Sequence, residues 1–182
     1  MKNKLIIVGM FLAFMFFPFN ARAQIVGIHT NLLGWCGLTP NIGLEVGFAK
    51  NWSVQLDGAY NPFTFSEGRS TQYWAIQPEV KFWPRYKFSG HYIGVHGHFA
   101  QYDWGLWQDR YRGNLGGCGL SYGYAWIIAD RWGIEANIGA GWNLIQNADV
   151  SDRVNPGICY GPLSHGHWGL TKLGIKITYL IK

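Results

Sequence analysis

Beyond its first 23 residues the chain lacks any uninterrupted apolar run of the roughly 18 residues that a membrane-crossing helix needs, so helical spanning is excluded there. Charge is scarce, at 14% of residues. Of the 15 Lys and Arg, Lys2, Lys4 and Arg22 lie in the N-terminal segment, and the 12 bases that remain face 10 acids. A balance so near neutral makes no nucleic-acid footprint. The three cysteines, Cys36, Cys118 and Cys159, are odd in number, so an oxidising compartment allows one pair and one free thiol at most. No phosphate-binding loop, zinc-finger spacing or catalytic-dyad signature occurs, and no cofactor is expected.

The N-terminal segment has the form of an export leader. Lys2 and Lys4 precede an apolar stretch from Leu5 to Phe19, and Ala21-Arg22-Ala23 places small residues where a signal peptidase reads them. The expected division is therefore a cleavable signal peptide over 1–23 and one domain over 24–182. No cysteine stands at the cut, which argues against a lipid anchor. The mature part is rich in what the leader does not explain: the whole chain has 17% aromatic residues and 25 glycines, of which Gly9 alone lies in the leader. A surface facing lipid, edged by aromatic girdles, would use such a composition.

Strand periodicity is plainest at the C-terminus. From Trp168 to Lys182, Leu173, Ile175, Ile177, Tyr179 and Ile181 alternate with Lys172, Gly174, Lys176 and Thr178, a period of two. Lys172-x-Gly174-x-x-Ile177-x-Tyr179 is similar to the polar-x-Gly-x-x-aromatic-x-aromatic ending of outer-membrane barrels. Seven further strands are expected upstream. The first runs from Ile25 to Cys36 with a bulge at Leu32-Leu33. Others carry Ile42, Leu44 and Val46; Trp52, Val54 and Leu56; Trp74, Ile76 and Val80; Ile93, Val95 and Phe99; Leu120, Tyr122 and Trp126; and Ile134, Ile138 and Trp142 on their apolar faces. Pro78 falls inside one of them and is expected to cost a bulge or a ladder bond. Reversals near Lys50, Arg85 and Asp130 are short, whereas Pro62 to Gln72, Trp104 to Gly116 and Asn147 to His165 read as long loops. That alternation fits an all-β, eight-stranded antiparallel up-and-down transmembrane β-barrel with both ends on one side.

The opposite faces of these strands collect Glu45, Asp57, Glu79, Lys81, Glu135, Lys172 and Lys176. Acids and bases on one side predict a charge network in the lumen. Eight strands enclose room only for side chains or one small ligand, so the network is expected to plug the barrel rather than line a channel, with a small-ligand-binding barrel as an alternative. Alternation alone does not choose the side, and a soluble eight-stranded barrel would put the apolar face inside.

Thr30-Asn31-Leu32-Leu33, Thr39-Pro40-Asn41, Gly43-x-Glu45, Tyr60-Asn61-Pro62, Gln77-Pro78-Glu79, Gly90-His91, Ser121-Tyr122-Gly123-Tyr124, Trp132-x-x-Glu135 and Thr171-Lys172 follow one another along nearly the whole mature chain. In that order they resemble an uncharacterised family of Gram-negative outer-membrane barrels, a domain of unknown function. Its members often accompany fimbrial-assembly genes. The resemblance implies a barrel fold and an envelope location, and it brings no catalytic residues.

Three further constellations bear on chemistry. His96-Gly97-His98 and His165-Gly166-His167 each put two imidazoles on one strand face, a spacing that can hold a metal or serve interior hydrogen bonds. Ser121, His91, His96 and Glu135 supply the residue types of a lipid-A-modifying enzyme without its spacing. Cys118 and Cys159 both map to the outer end and are candidates for a disulfide, for which Cys36 can substitute. The expectation is a monomeric, non-enzymatic barrel in contact with outer-membrane lipid, presenting its long loops to extracellular or fimbrial protein partners. N-terminal sequencing of the envelope-associated protein is expected to begin at Gln24, and a chain that still starts at Met1 would contradict the leader.

Overall fold

The computed structural model describes residues 25–63, 70–105, 109–152 and 159–181. The leader assigned to 1–23 lies outside them. The elements are β1 (Ile25–Asn31), α1 (Leu32–Cys36), β2 (Asn41–Gly47), β3 (Trp52–Asn61), β4 (Ser70–Phe82), β5 (Gly90–Gly105), β6 (Asp109–Ala129), β7 (Trp132–Asp152) and β8 (Cys159–Ile181). Every strand pairs antiparallel with the next, and β8 returns to β1, closing an eight-stranded barrel with no free edge.

The ladder shows why this alternation makes a tilted cylinder. One row of partners runs outward-facing through Val26, Val46, Val54, Val80, Val95, Leu120, Ala140 and Leu170. Val26 itself faces Ile181, well along β8 from Leu170, so a circuit does not return to its starting level. That offset is the stagger by which strands tilt and close. β-Branched residues recur in the row because they pack well on a pleated surface.

Polarity is inverted relative to a soluble barrel. Leu120 is 63% exposed and Ile138 52%, while Lys81 is 0% and Glu79 1% exposed. The buried hydrophobic residues among those described are Trp83, Phe88, Tyr92, Ala125 and Leu180. They cap the end where the short reversals lie. There the Trp83 and Tyr92 rings pack with centroids 4.8 Å apart, and Trp83 Nε1 donates to Ser53 Oγ at 2.8 Å.

Several expectations are corrected. The first strand stops at Asn31, and Leu32–Cys36 forms a helical turn instead of a bulged continuation. The Asn31 side chain accepts from the Leu33 amide and so caps the turn. Trp104 to Gly116 and Asn147 to His165 are mostly strand: β5 pairs with β6 up to Trp104↔Tyr111, and β7 with β8 up to Ser151↔Cys159. Only 106–108 and 153–158 of those expected loops lie outside the described residues, as do 64–69 of the third. Pro78 brings the expected interruption of a ladder and not the alternative bulge. It pairs with Leu56 on one side, while on the other the β4–β5 ladder passes from Ile76↔Phe99 to Glu79↔His96 without a register shift. Gly97 stands across from the proline, and a Cβ there would make only ordinary contact with the ring.

The Cys118–Cys159 disulfide is not formed. Cys118 is a free, exposed thiol, as is Cys36. Cys118 faces Trp142, whereas Cys159 faces Ser151. The levels differ by nine residues of β7 at about 3.3 Å each, far beyond the roughly 7 Å between Cα atoms that a bridge tolerates.

Gly119 and Gly141 face each other across β6 and β7, and a Cβ on Gly141 would run into the backbone of Cys118 and Gly119. Gly141→Val is expected to cost about 1–3 kcal/mol in urea unfolding from micelles, whereas outward-facing Ile138→Val should stay within about 0.5 kcal/mol.

Candidate functional site

The charged interior is built from alternate positions of five strands. Glu45 on β2, Asp57 on β3, Glu79 and Lys81 on β4, Glu135 on β7, and Lys172 and Lys176 on β8 all point into the lumen. Apart from Asp57 their side chains are at most 5% exposed. Their neighbours along each strand face outward, because successive side chains alternate.

The structure joins these seven into one connected set. Lys81 Nζ lies 2.8 Å from Glu45 Oε2 and 2.8 Å from Glu135 Oε2, with the Tyr92 ring centroid 4.3 Å away. Lys172 Nζ reaches Glu79 Oε2 at 2.5 Å and approaches Asp57 Oδ2 at 3.6 Å. Lys176 Nζ lies 3.2 Å from Asp57 Oδ2 and 3.7 Å from Glu135 Oε1. Each lysine therefore spans two carboxylates, and each of Asp57 and Glu135 takes two lysines. Removing charge from water costs several kcal/mol per ion unless such partners are supplied.

Neutral groups complete the shell. Ser53 Oγ donates to Glu45 at 2.5 Å, Tyr92 Oη to Glu135 at 2.7 Å and Asn137 Nδ2 to Glu135 at 3.0 Å. Ser121 Oγ donates to Glu79. Asp57 meets His29 Nε2 at 2.5 Å and Gln55 Nε2 at 2.5 Å. Gly43 and Gly94 make this packing possible, since a Cβ on Gly43 would occupy the His29–Asp57 contact and one on Gly94 the Glu79–Ser121 contact. His29, Ser53, Gln55, Tyr92, Ser121 and Asn137 were not assigned to the network from sequence. Their inward parity was the available signal, but parity does not say which polar residue touches which charge.

Other candidates are dispersed. His91 sits on the outer face with Nδ1 2.5 Å from Tyr122 Oη. His96 Nε2 lies 2.8 Å from Thr171 Oγ1, Ser121 serves Glu79, and Glu135 serves Lys81 and Tyr92. These four do not converge on one point. The His96 and His98 rings are 6.1 Å apart and those of His165 and His167 6.0 Å. Among the described residues no three His, Cys, Asp or Glu are grouped to hold a metal ion.

A closed antiparallel barrel of eight strands, apolar without and ion-paired within, is thus the class of protein that fold and site define. The chain belongs to the family described as protein of unknown function (DUF3575), whose model matches residues 8–181. No curated protein and no solved structure matches it.

Lys81→Met leaves Glu45 without a lysine and Glu135 with Lys176 alone, 3.7 Å away, and is expected to cost about 3–5 kcal/mol by urea unfolding in micelles. Adding Glu45→Gln and Glu135→Gln should restore much of that loss, and a triple variant weaker than Lys81→Met would contradict the pairing.

Proposed function

We propose that this protein is an outer-membrane β-barrel whose lumen is sealed by ion pairs and which acts through the strand extensions and turns at one end. Its role on this reading is structural or adhesive at the cell surface, linked to fimbriae or envelope assembly. The observation that carries the reading is the inverted polarity: a belt of exposed Leu, Ile and Val surrounds an interior of buried Glu and Lys. In water such a surface would associate; in hydrocarbon it is the solvent-matched one.

The aromatic residues set a height for that belt. Trp52–Phe82 and Trp132–Tyr179 pair near the short turns, each with centroids 5.0 Å apart. Trp74–Phe99 at 5.4 Å and Trp142–Trp168 at 5.7 Å pair toward the other end. Trp132 and Trp142 lie ten residues apart on β7. At about 3.3 Å per residue and a tilt of about 40°, that is about 25 Å, the height of the apolar band of outer-membrane barrels.

Crossing takes about 9–11 residues per strand. β6, β7 and β8 have 21, 21 and 23, so on one side of the barrel a wall of paired strands continues past the membrane. β1 and β2 have 7 each, and the rim there is low. A wall of paired strands beside a low rim is a surface for a protein partner. The link to fimbriae rests on the family resemblance of the short motifs.

Fractionation is expected to place the mature chain in the outer membrane, and pull-down from envelopes to recover a surface or fimbrial protein. Ile138→Arg, in mid-belt, should cost about 2–4 kcal/mol of folding free energy in lipid vesicles. Recovery in the soluble fraction, or an Ile138→Arg barrel as stable as the original, would overturn the reading.

A further inference from the structure

The two ends of the lumen differ. Trp83, Phe88, Tyr92 and Leu180 fill the end at the short turns, and the ion network fills the middle. Above the network, toward α1, the lumen opens into a cavity of about 220 Å³. Its floor is Asp57, Lys172 and Lys176, and Tyr73, Gln77 and the small Ala59 and Ala75 form much of its wall. What enters such a blind cup leaves by the same mouth.

The lining specifies a ligand chemistry. Asp57 is the carboxylate turned to the cavity, with 23% of its side chain exposed against 0–5% for Glu79, Glu45 and Glu135. Lys176 donates one hydrogen bond, to Asp57, and an ammonium has three donors to give. Lys172 likewise donates one, to Glu79. Gln77 uses its Nε2 on the Thr171 carbonyl. Gln77 lines the cavity, and its Oε1 is an amide acceptor. Acceptors and donors therefore stand side by side, and a hydroxyl, which both donates and accepts, fits each.

Pairing decides against an ion, since each of the four carboxylates already has a lysine ammonium at 2.5–3.2 Å. The carboxylates below are already met by Lys81, Lys172, Lys176 and the His29 imidazole. A further acid or amine would bring an unpaired charge to a site where charge is costly. The volume equals that of about seven water molecules, room for one six-membered ring with its hydroxyls. The Tyr73 ring on the wall offers an aromatic face for the C–H side of such a ring, held by its hydroxyl bond to Thr39 Oγ1 at 2.9 Å.

We infer that this cavity binds one neutral, hydroxyl-rich ring, a monosaccharide either free or at the end of a glycan. The inference rests on the geometry of the mouth and does not depend on which partner the strand extensions meet.

The test uses the full mature chain in an amine-oxide detergent, so that no glycoside head group competes. Titration calorimetry with glucose, galactose and N-acetylglucosamine is expected to show saturable binding of at least one. The same sugars as β-linked disaccharides form the second arm: tighter binding than the free sugar identifies a glycan end, and equal or weaker binding a free sugar. Glucuronate and glucosamine should bind at least tenfold more weakly than glucose. Ala75→Trp fills the cavity without touching a charge and should abolish binding while the barrel keeps its folded mobility on unheated gels. Gln77→Leu should weaken binding about tenfold. No saturable binding by any sugar, binding that survives Ala75→Trp, or preference for a charged sugar would each overturn the inference.

Discussion

Four carboxylates and three ammonium groups share an interior only a few side chains across, and the architecture follows from the need to pair them. An uncompensated ion in that space would cost several kcal/mol, a large share of the stability of a typical domain. The pairs are made across the barrel rather than along it: Lys172 on β8 meets Glu79 on β4, and Lys81 on β4 meets Glu135 on β7. Ion pairing therefore does inside this barrel what apolar packing does inside a soluble one. It holds opposite walls at a fixed distance, and apolar packing is confined to the Trp83 end.

Glycine is the counterpart of those pairs. Some long side chains meet in the lumen where a facing position has no Cβ, as at Gly43 under the His29–Asp57 contact and Gly94 beside Glu79 and Ser121. The outward face follows a different rule, with leucine, β-branched and aromatic residues at many of the alternate places. A composition rich in both glycine and aromatics thus reflects two surfaces of one sheet.

Much of this was legible because a strand has a period of two and the two surroundings differ. Parity alone brought Glu45, Asp57, Glu79, Lys81, Glu135, Lys172 and Lys176 to one side, and the short reversals at Lys50, Arg85 and Asp130 gave the strand count. The signal disappears where it has no physical cause. Asp109, Arg112 and Asn114 show no alternation and read as loop, yet β6 runs through them, because backbone pairing persists whether or not the two faces differ. Leu32–Cys36 failed for another reason: an apolar run of five residues does not distinguish a bulged strand from a capped helical turn. Cys118 and Cys159 failed on height, which depends on register and not on order along the chain. The cavity beneath α1 had no sequence signal, since a void is defined by what Ala59 and Ala75 leave unfilled.

The span of the lumen contacts along the chain bears on how long a folded barrel lasts. Lys172 reaches Glu79 across 93 residues, and Lys176 reaches Asp57 across 119. Neither contact exists until the last strand has come round to the first half of the sheet. Interactions made so late leave the speed of assembly nearly unchanged and act almost wholly on the rate of opening. The buried charges thereby work as a latch, and the lifetime of the closed state, more than its ease of formation, is what they set.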